Sequence, residues 1–121
     1  MRVALILNLL LAITTGAWAQ ETPRVQVNGA ELREVRMAQE VIYVDVDAFL
    51  KLAGVPRAAV RISYPGDGKH YLHFNKKVTT IRVGTQWKGL YVDGKVFVEA
   101  LGGSWIPSPG GPVTVYLSPQ R

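Results

Sequence analysis

Polar and apolar residues alternate along most of this chain with a period of two, punctuated by glycine-bearing turns, and the period changes once to that of a helix. Arg24-Val25-Gln26-Val27 begins the alternation, the pattern of a half-buried strand. Asn28-Gly29 follows, and both residues tolerate the positive φ that a two-residue hairpin turn requires. A return strand is predicted over residues 31–36, and the β-branched and aromatic run Val41-Ile42-Tyr43-Val44 predicts a central strand. The helical period comes next. Val46, Phe49, Leu50 and Ala53 recur at i, i+3, i+4 and i+7, which puts them on one side of a two-turn helix. Asp45 is placed to cap its free amides, Asp47 adds negative charge in the first turn, and Gly54 then Pro56 end it. So short a helix is marginal alone in water and must dock on a sheet through Phe49 and Leu50.

Beyond it the alternation resumes. Strands are predicted over 60–64 and 71–74, joined by the turn Pro65-Gly66-Asp67-Gly68, then over 78–83 after the polar turn Asn75-Lys76-Lys77. A further strand is expected over 87–92, a hairpin at Asp93-Gly94 with its return over 95–98, and a last strand over 113–117. The stretch 102–112, dense in Gly and Pro, has no period. These elements predict an α+β domain, a small twisted antiparallel sheet of five or six strands packed on one short helix.

Residues 1–19 stand apart. Arg2, the apolar run 3–13 and Ala17-Trp18-Ala19 have the order of a secretory signal with a small-x-small cleavage site, and the run is too short to cross a bilayer as a helix. The mature chain is expected to start at Gln20, to form a single domain over 20–121 without a transmembrane segment, and to be secreted or periplasmic. The absence of cysteine removes disulfides, a thiol nucleophile and thiolate metal sites, so the domain must hold together by burial.

Charge is uneven. Residues 20–56 carry four basic and six acidic side chains, whereas residues 57–95 carry eight basic and two acidic. Such a stretch attracts anionic polymers if its side chains share a face, although alternating strands send them to both faces. Nucleic acid is the disfavoured partner.

Two segments share an order of parts. Tyr43-Val44-Asp45 through Leu52-Ala53-Gly54, followed by strands, is echoed by Val96-Phe97-Val98 through Leu101-Gly102-Gly103, followed by Trp105 and the strand over 113–117. Asn28-Gly29 and Asp93-Gly94 stand before the two units. This pattern resembles the copper amine oxidase N-terminal-like, or stalk, domain family of exported bacterial proteins, in which a turn of Asn-Gly type leads through a strand into a helix ending in Leu-Gly. The family's helix commonly opens with proline where this chain has Val46, and only one turn fits between Val98 and Gly102, so the second unit is expected to lack a helix of its own. The resemblance implies an extracytoplasmic accessory or binding module and no copper chemistry.

The sequence carries no recognisable catalytic constellation. His70 and His73 lie three apart on a strand and point to opposite faces, which is wrong for one metal. No Ser lies in a Gly-x-Ser-x-Gly elbow, and Gly66-Asp67-Gly68-Lys69 lacks the spacing of a phosphate loop. No cofactor is expected. The binding candidates are Lys76, Lys77, Trp87, Lys88 and Trp105, since exposed aromatics stack on sugars or bases and lysines meet anionic groups. Trp105, within the aperiodic stretch, is expected to be the most exposed. The expected function is thus an exported non-enzymatic module contacting an envelope polysaccharide or protein, with a small exported enzyme or enzyme inhibitor as the alternative. Open sheet edges also allow a homodimer.

Overall fold

The computed structural model describes residues 23–118, so the expected signal segment 1–19 lies outside the described residues. The described residues form an α+β fold, with eleven strands in three sheets and two α-helices among them. Its first hairpin joins β1 (Val25–Val27) to β2 (Ala30–Leu32) through Asn28 and Gly29, both at positive φ as the turn demands. The return segment expected as one strand is two. The chain leaves the first sheet after Leu32 and joins a second sheet as β3 (Val35–Ala38), which pairs with β4 (Val41–Asp45). That turn is built from Gln39 and Glu40, at φ 51° and 66°.

Helix α1 (Val46–Ala53) has the expected bounds and buried face: Val46, Phe49, Leu50 and Ala53. The Ala48 N–H donates to the Asp45 carboxylate at 3.0 Å, and Gly54 closes the helix in the left-handed region at φ 75°. After a 3-10 turn at Arg57–Ala59 comes the third sheet: β5 (Val60–Ser63), β6 (His70–Phe74) and β7 (Lys77–Ile81), all antiparallel. The chain then returns to the second sheet as β8 (Val83–Gly84) and β9 (Tyr91–Asp93). Only the end of the strand expected over 87–92 forms, because residues 85–90 leave the ladder and carry Trp87 across the sheet's outer face.

The largest departure follows. Residues 95–98 are not the return arm of a hairpin but part of a second helix, α2 (Gly94–Ala100). Asp93 acts as its N-cap, accepting from the Val96 N–H at 3.4 Å, so Asp93-Gly94 opens a helix and does not turn a strand. Phe97, Val98 and Leu101 are buried, a helical face that the β-branched Val96 and Val98 disguise as alternation. Two strands complete the fold: β10 (Ser104–Ile106), inside the stretch expected to be irregular, and β11 (Val113–Tyr116). β11 pairs antiparallel with β10 and parallel with β1, so the first sheet is mixed. The Asn28 side chain fastens this closure, donating to the Leu117 carbonyl at 2.8 Å and accepting from its N–H at 3.0 Å.

The path of the chain therefore runs twice through the same parts. The hairpin β1–β2, β3, β4 and α1 are matched by the hairpin β6–β7, β8, β9 and α2. Tyr43-Val44-Asp45 and Phe49 correspond to Tyr91-Val92-Asp93 and Phe97, which corrects the alignment drawn from the sequence. β4 and β9 pair across a local two-fold, with Val44 opposite Val92, Tyr43 opposite Asp93 and Asp45 opposite Tyr91. The core forms where the helices meet: Phe49 and Phe97, both fully buried, pack edge to face at 5.2 Å.

Candidate functional site

The residues expected to bind a partner occupy separate places. Lys76 sits in the β6–β7 turn at φ 65° and Lys77 follows it at the start of β7, both exposed. Trp87 packs on Tyr43 and Tyr91, with ring centroids 5.2 and 5.5 Å away, and Gly84 lies beneath it where a Cβ would run into the indole. The Arg36 guanidinium stands 5.3 Å above the Tyr91 ring. Trp87 thus seals the outer face of the second sheet, while Lys88 beside it is exposed. Trp105 is half-buried and not the exposed tip expected, because its ring lies over Gly94, where an added Cβ would come within 2.8 Å of the indole.

The histidines are engaged locally. His70 stacks on Tyr64 at 4.6 Å and 24°. His73 lies on the other face of β6 with Ser63 Oγ 2.8 Å from Nε2 and Arg61 Nη2 3.1 Å from Nδ1. A guanidinium only donates, so Nδ1 accepts, and the bonding network puts the neutral ring's proton on Nε2, directed at Ser63. That polarity is the reverse of a serine nucleophile and its base, where the ring accepts the hydroxyl proton and a carboxylate stands behind Nδ1–H. Asp67 is held below the ordinary carboxylate range, first by the Tyr71 hydroxyl donating at 2.6 Å and then by the Lys69 N–H, while Asp67 in turn pushes the Tyr71 hydroxyl up. Asp67 is exposed in the β5–β6 turn, and Tyr71 is half-buried in β6 beside it. No group of three His, Asp or Glu side chains able to hold a metal ion occurs among the described residues. Nor is any helix among them long and apolar enough to cross a membrane.

What the fold does assemble is a groove along α2. One arm, of about 440 Å³, lies between α2 and the ends of β6 and β7, lined by Lys69, His70, Thr80, Arg82, Val83 and Asp93 among others. A second arm, of about 210 Å³, is lined by Glu40, Ile42, Lys95 and the Trp105 ring, and shares Asp93 with the first. Local sequence places each wall. The His70↔Ile81 rung ends the β6–β7 ladder, Lys69 and Arg82 flank it, and the Arg82 carbonyl accepts from the Asp93 N–H at 2.9 Å. Gly94 admits the Trp105 ring against the start of α2. Among the described residues, the ion pairs are Arg24–Glu31 and Arg57–Asp47, so Lys69, Arg82 and Lys95 face the groove region without an ion-pair partner. Of the expected residues, only Trp105 belongs to this groove. Lys69, Arg82 and Lys95 were visible in the sequence only as members of a diffuse basic stretch. In comparison with known proteins, the chain matches no family model, no curated protein and no solved structure.

Proposed function

We propose that this chain is an exported, non-enzymatic binding module of the cell envelope that holds a polymer in the groove beside α2. The groove carries the reading: an open, elongated surface with an indole wall and unpartnered cations suits the capture of a chain. The export half of the proposal comes from residues 1–19, with their basic start, apolar run and Ala17-Trp18-Ala19. The doubled path of strand, strand, helix and glycine accords with the resemblance to copper amine oxidase N-terminal-like domains, whose helical step also recurs. A catalytic alternative calls for convergent groups with displaced protonation equilibria, whereas the displaced pair here is Asp67 in an exposed turn and Tyr71 on the neighbouring strand, outside the groove lining.

The test is a pull-down from an envelope extract with the purified, tagged protein, with Trp105→Phe and Lys76→Ala/Lys77→Ala variants alongside. The proposal expects a retained polymer whose recovery drops with the Trp105 substitution and not with the double lysine one. Recovery of nothing above the tag control would refute the module reading.

A further inference from the structure

We infer that the groove's ligand is an acidic glycan: a sugar chain with carboxylates on some residues, one seated between Lys69 and Arg82 and a sugar ring against Trp105. This rests on the binding-module reading and narrows its ligand. The first support is the pair of cations. Lys69 and Arg82 flank the last β6–β7 rung, His70↔Ile81, and both line the larger arm of the groove. Like charges beside one groove repel. Asp67, the carboxylate nearest in sequence, is engaged by Tyr71 and by the Lys69 backbone amide, and it forms no ion pair with either cation. An anion between the two cations removes the repulsion and gains charge-assisted hydrogen bonds, bidentate ones from the guanidinium.

The second support is the mixture of signs further along. Asp93 sits where the two arms meet, and Glu40 and Lys95 line the smaller arm. A strand with a charge on every unit, such as a nucleic-acid backbone, would set phosphates against Asp93 and Glu40. Sugar hydroxyls both donate and accept, so carboxylates and ammonium groups can each bind them. The mixed lining therefore fits a hydroxyl-rich chain with sparse negative charge.

The third support is the pair of flat aromatic surfaces. Trp105 walls the smaller arm. His70, on the larger arm, carries Tyr64, which is 58 % exposed. Such flat faces pack against the apolar faces of sugar rings.

Isothermal titration of the purified protein tests this with three probes: a hyaluronan tetrasaccharide, which carries a carboxylate on alternate sugars, the same tetrasaccharide with its carboxyls reduced to alcohols, and tetrathymidylate. The acidic tetrasaccharide is expected to bind about tenfold more tightly than its neutral form, the size of one well-made charged contact. Lys69→Ala/Arg82→Ala is expected to erase that difference while leaving neutral binding in place, and Trp105→Phe to weaken both sugars. Both cations are exposed, so their removal leaves the fold intact, and thermal unfolding of each variant checks this. The inference is overturned by equal affinity for the two sugars, by no binding of the acid at millimolar concentration, by a preference that survives the double substitution, or by tighter binding of tetrathymidylate. The two proposals fail separately. An envelope polymer retained equally by the Lys69→Ala/Arg82→Ala protein in the pull-down contradicts the acidic-glycan inference and leaves the module reading standing.

Discussion

The two helices do the same structural job with different materials. α1 carries every local signal a helix can have: an N-cap bond of 3.0 Å, Asp47 in its first turn, Lys51 in its last, and a left-handed Gly54. α2 begins with Gly94, holds β-branched Val96 and Val98, has a longer cap bond of 3.4 Å, and has neither an acidic residue in its first turn nor a basic one in its last. The first forms largely from its own sequence, and the second is held by what packs on it. The position opening each helix shows why. Val46 is buried in the core, whereas its counterpart Gly94 gives up its side chain to admit Trp105. In the unit with the weaker helix, the space that a side chain would fill at the first helical position holds the indole that walls the proposed groove.

The comparison can be broken most strongly at its centre. Phe49→Ala and Phe97→Ala should each cost about 3–5 kcal/mol, since both side chains are fully buried. A double-mutant cycle in denaturant should return about 0.5–1.5 kcal/mol of coupling from their edge-to-face contact. Unequal single losses would show which unit depends more on the shared core.

Gly94→Ala should come next, and its sign is diagnostic. In an ordinary helix interior this change stabilises by roughly 0.5–1 kcal/mol. Here the added methyl meets the Trp105 ring at 2.8 Å and the Ile42 carbonyl at 3.2 Å, so a loss of about 1–3 kcal/mol is expected by chemical denaturation. A gain in stability would mean that Trp105 does not lean on this helix.

The caps sharpen the contrast at smaller scale. Asp45→Ala should cost about 1 kcal/mol, and Asp93→Ala less, because its bond is longer. Equal losses in thermal unfolding would erase the distinction drawn between the two helices.

The smallest effect lies outside both helices. Tyr71→Phe removes the bond that lowers Asp67 most, so the Asp67 carboxyl should titrate closer to the ordinary carboxylate range when followed by NMR. A lowered folded-state pKa stabilises above the unfolded value and is lost as pH falls through the folded one. The variant's stability should therefore respond less to acidification, by a small margin since Asp67 is in solvent. An unchanged Asp67 titration would place the cause elsewhere.

These contrasts explain what could be read before folding. α1, the Asn28-Gly29 turn and the β5–β6–β7 hairpins were legible because each is specified within a few residues. α2 was not, since Asp93-Gly94 before Val96 and Val98 is chemically the same as a hairpin signal, and tertiary burial of Phe97, Val98 and Leu101 decides between the two. The turn at Gln39 and Glu40 was equally hidden, because neither residue favours positive φ and the paired strands impose it. The parallel pairing of β1 with β11 joins residues nearly ninety apart and leaves no local mark. The groove was the least legible part. Lys69 and Arg82 come to line one groove only once His70 is set against Ile81, and Trp105 becomes a wall only once Gly94 lies under it.

The most direct measurement is an NMR map of backbone amide shifts as the hyaluronan tetrasaccharide is added to the protein. The account predicts changes concentrated at residues 40–42, 68–70, 80–83, 93–96 and 105, the two arms of the groove. Changes centred on Lys76, Lys77 and Trp87 with the groove amides unmoved would contradict it.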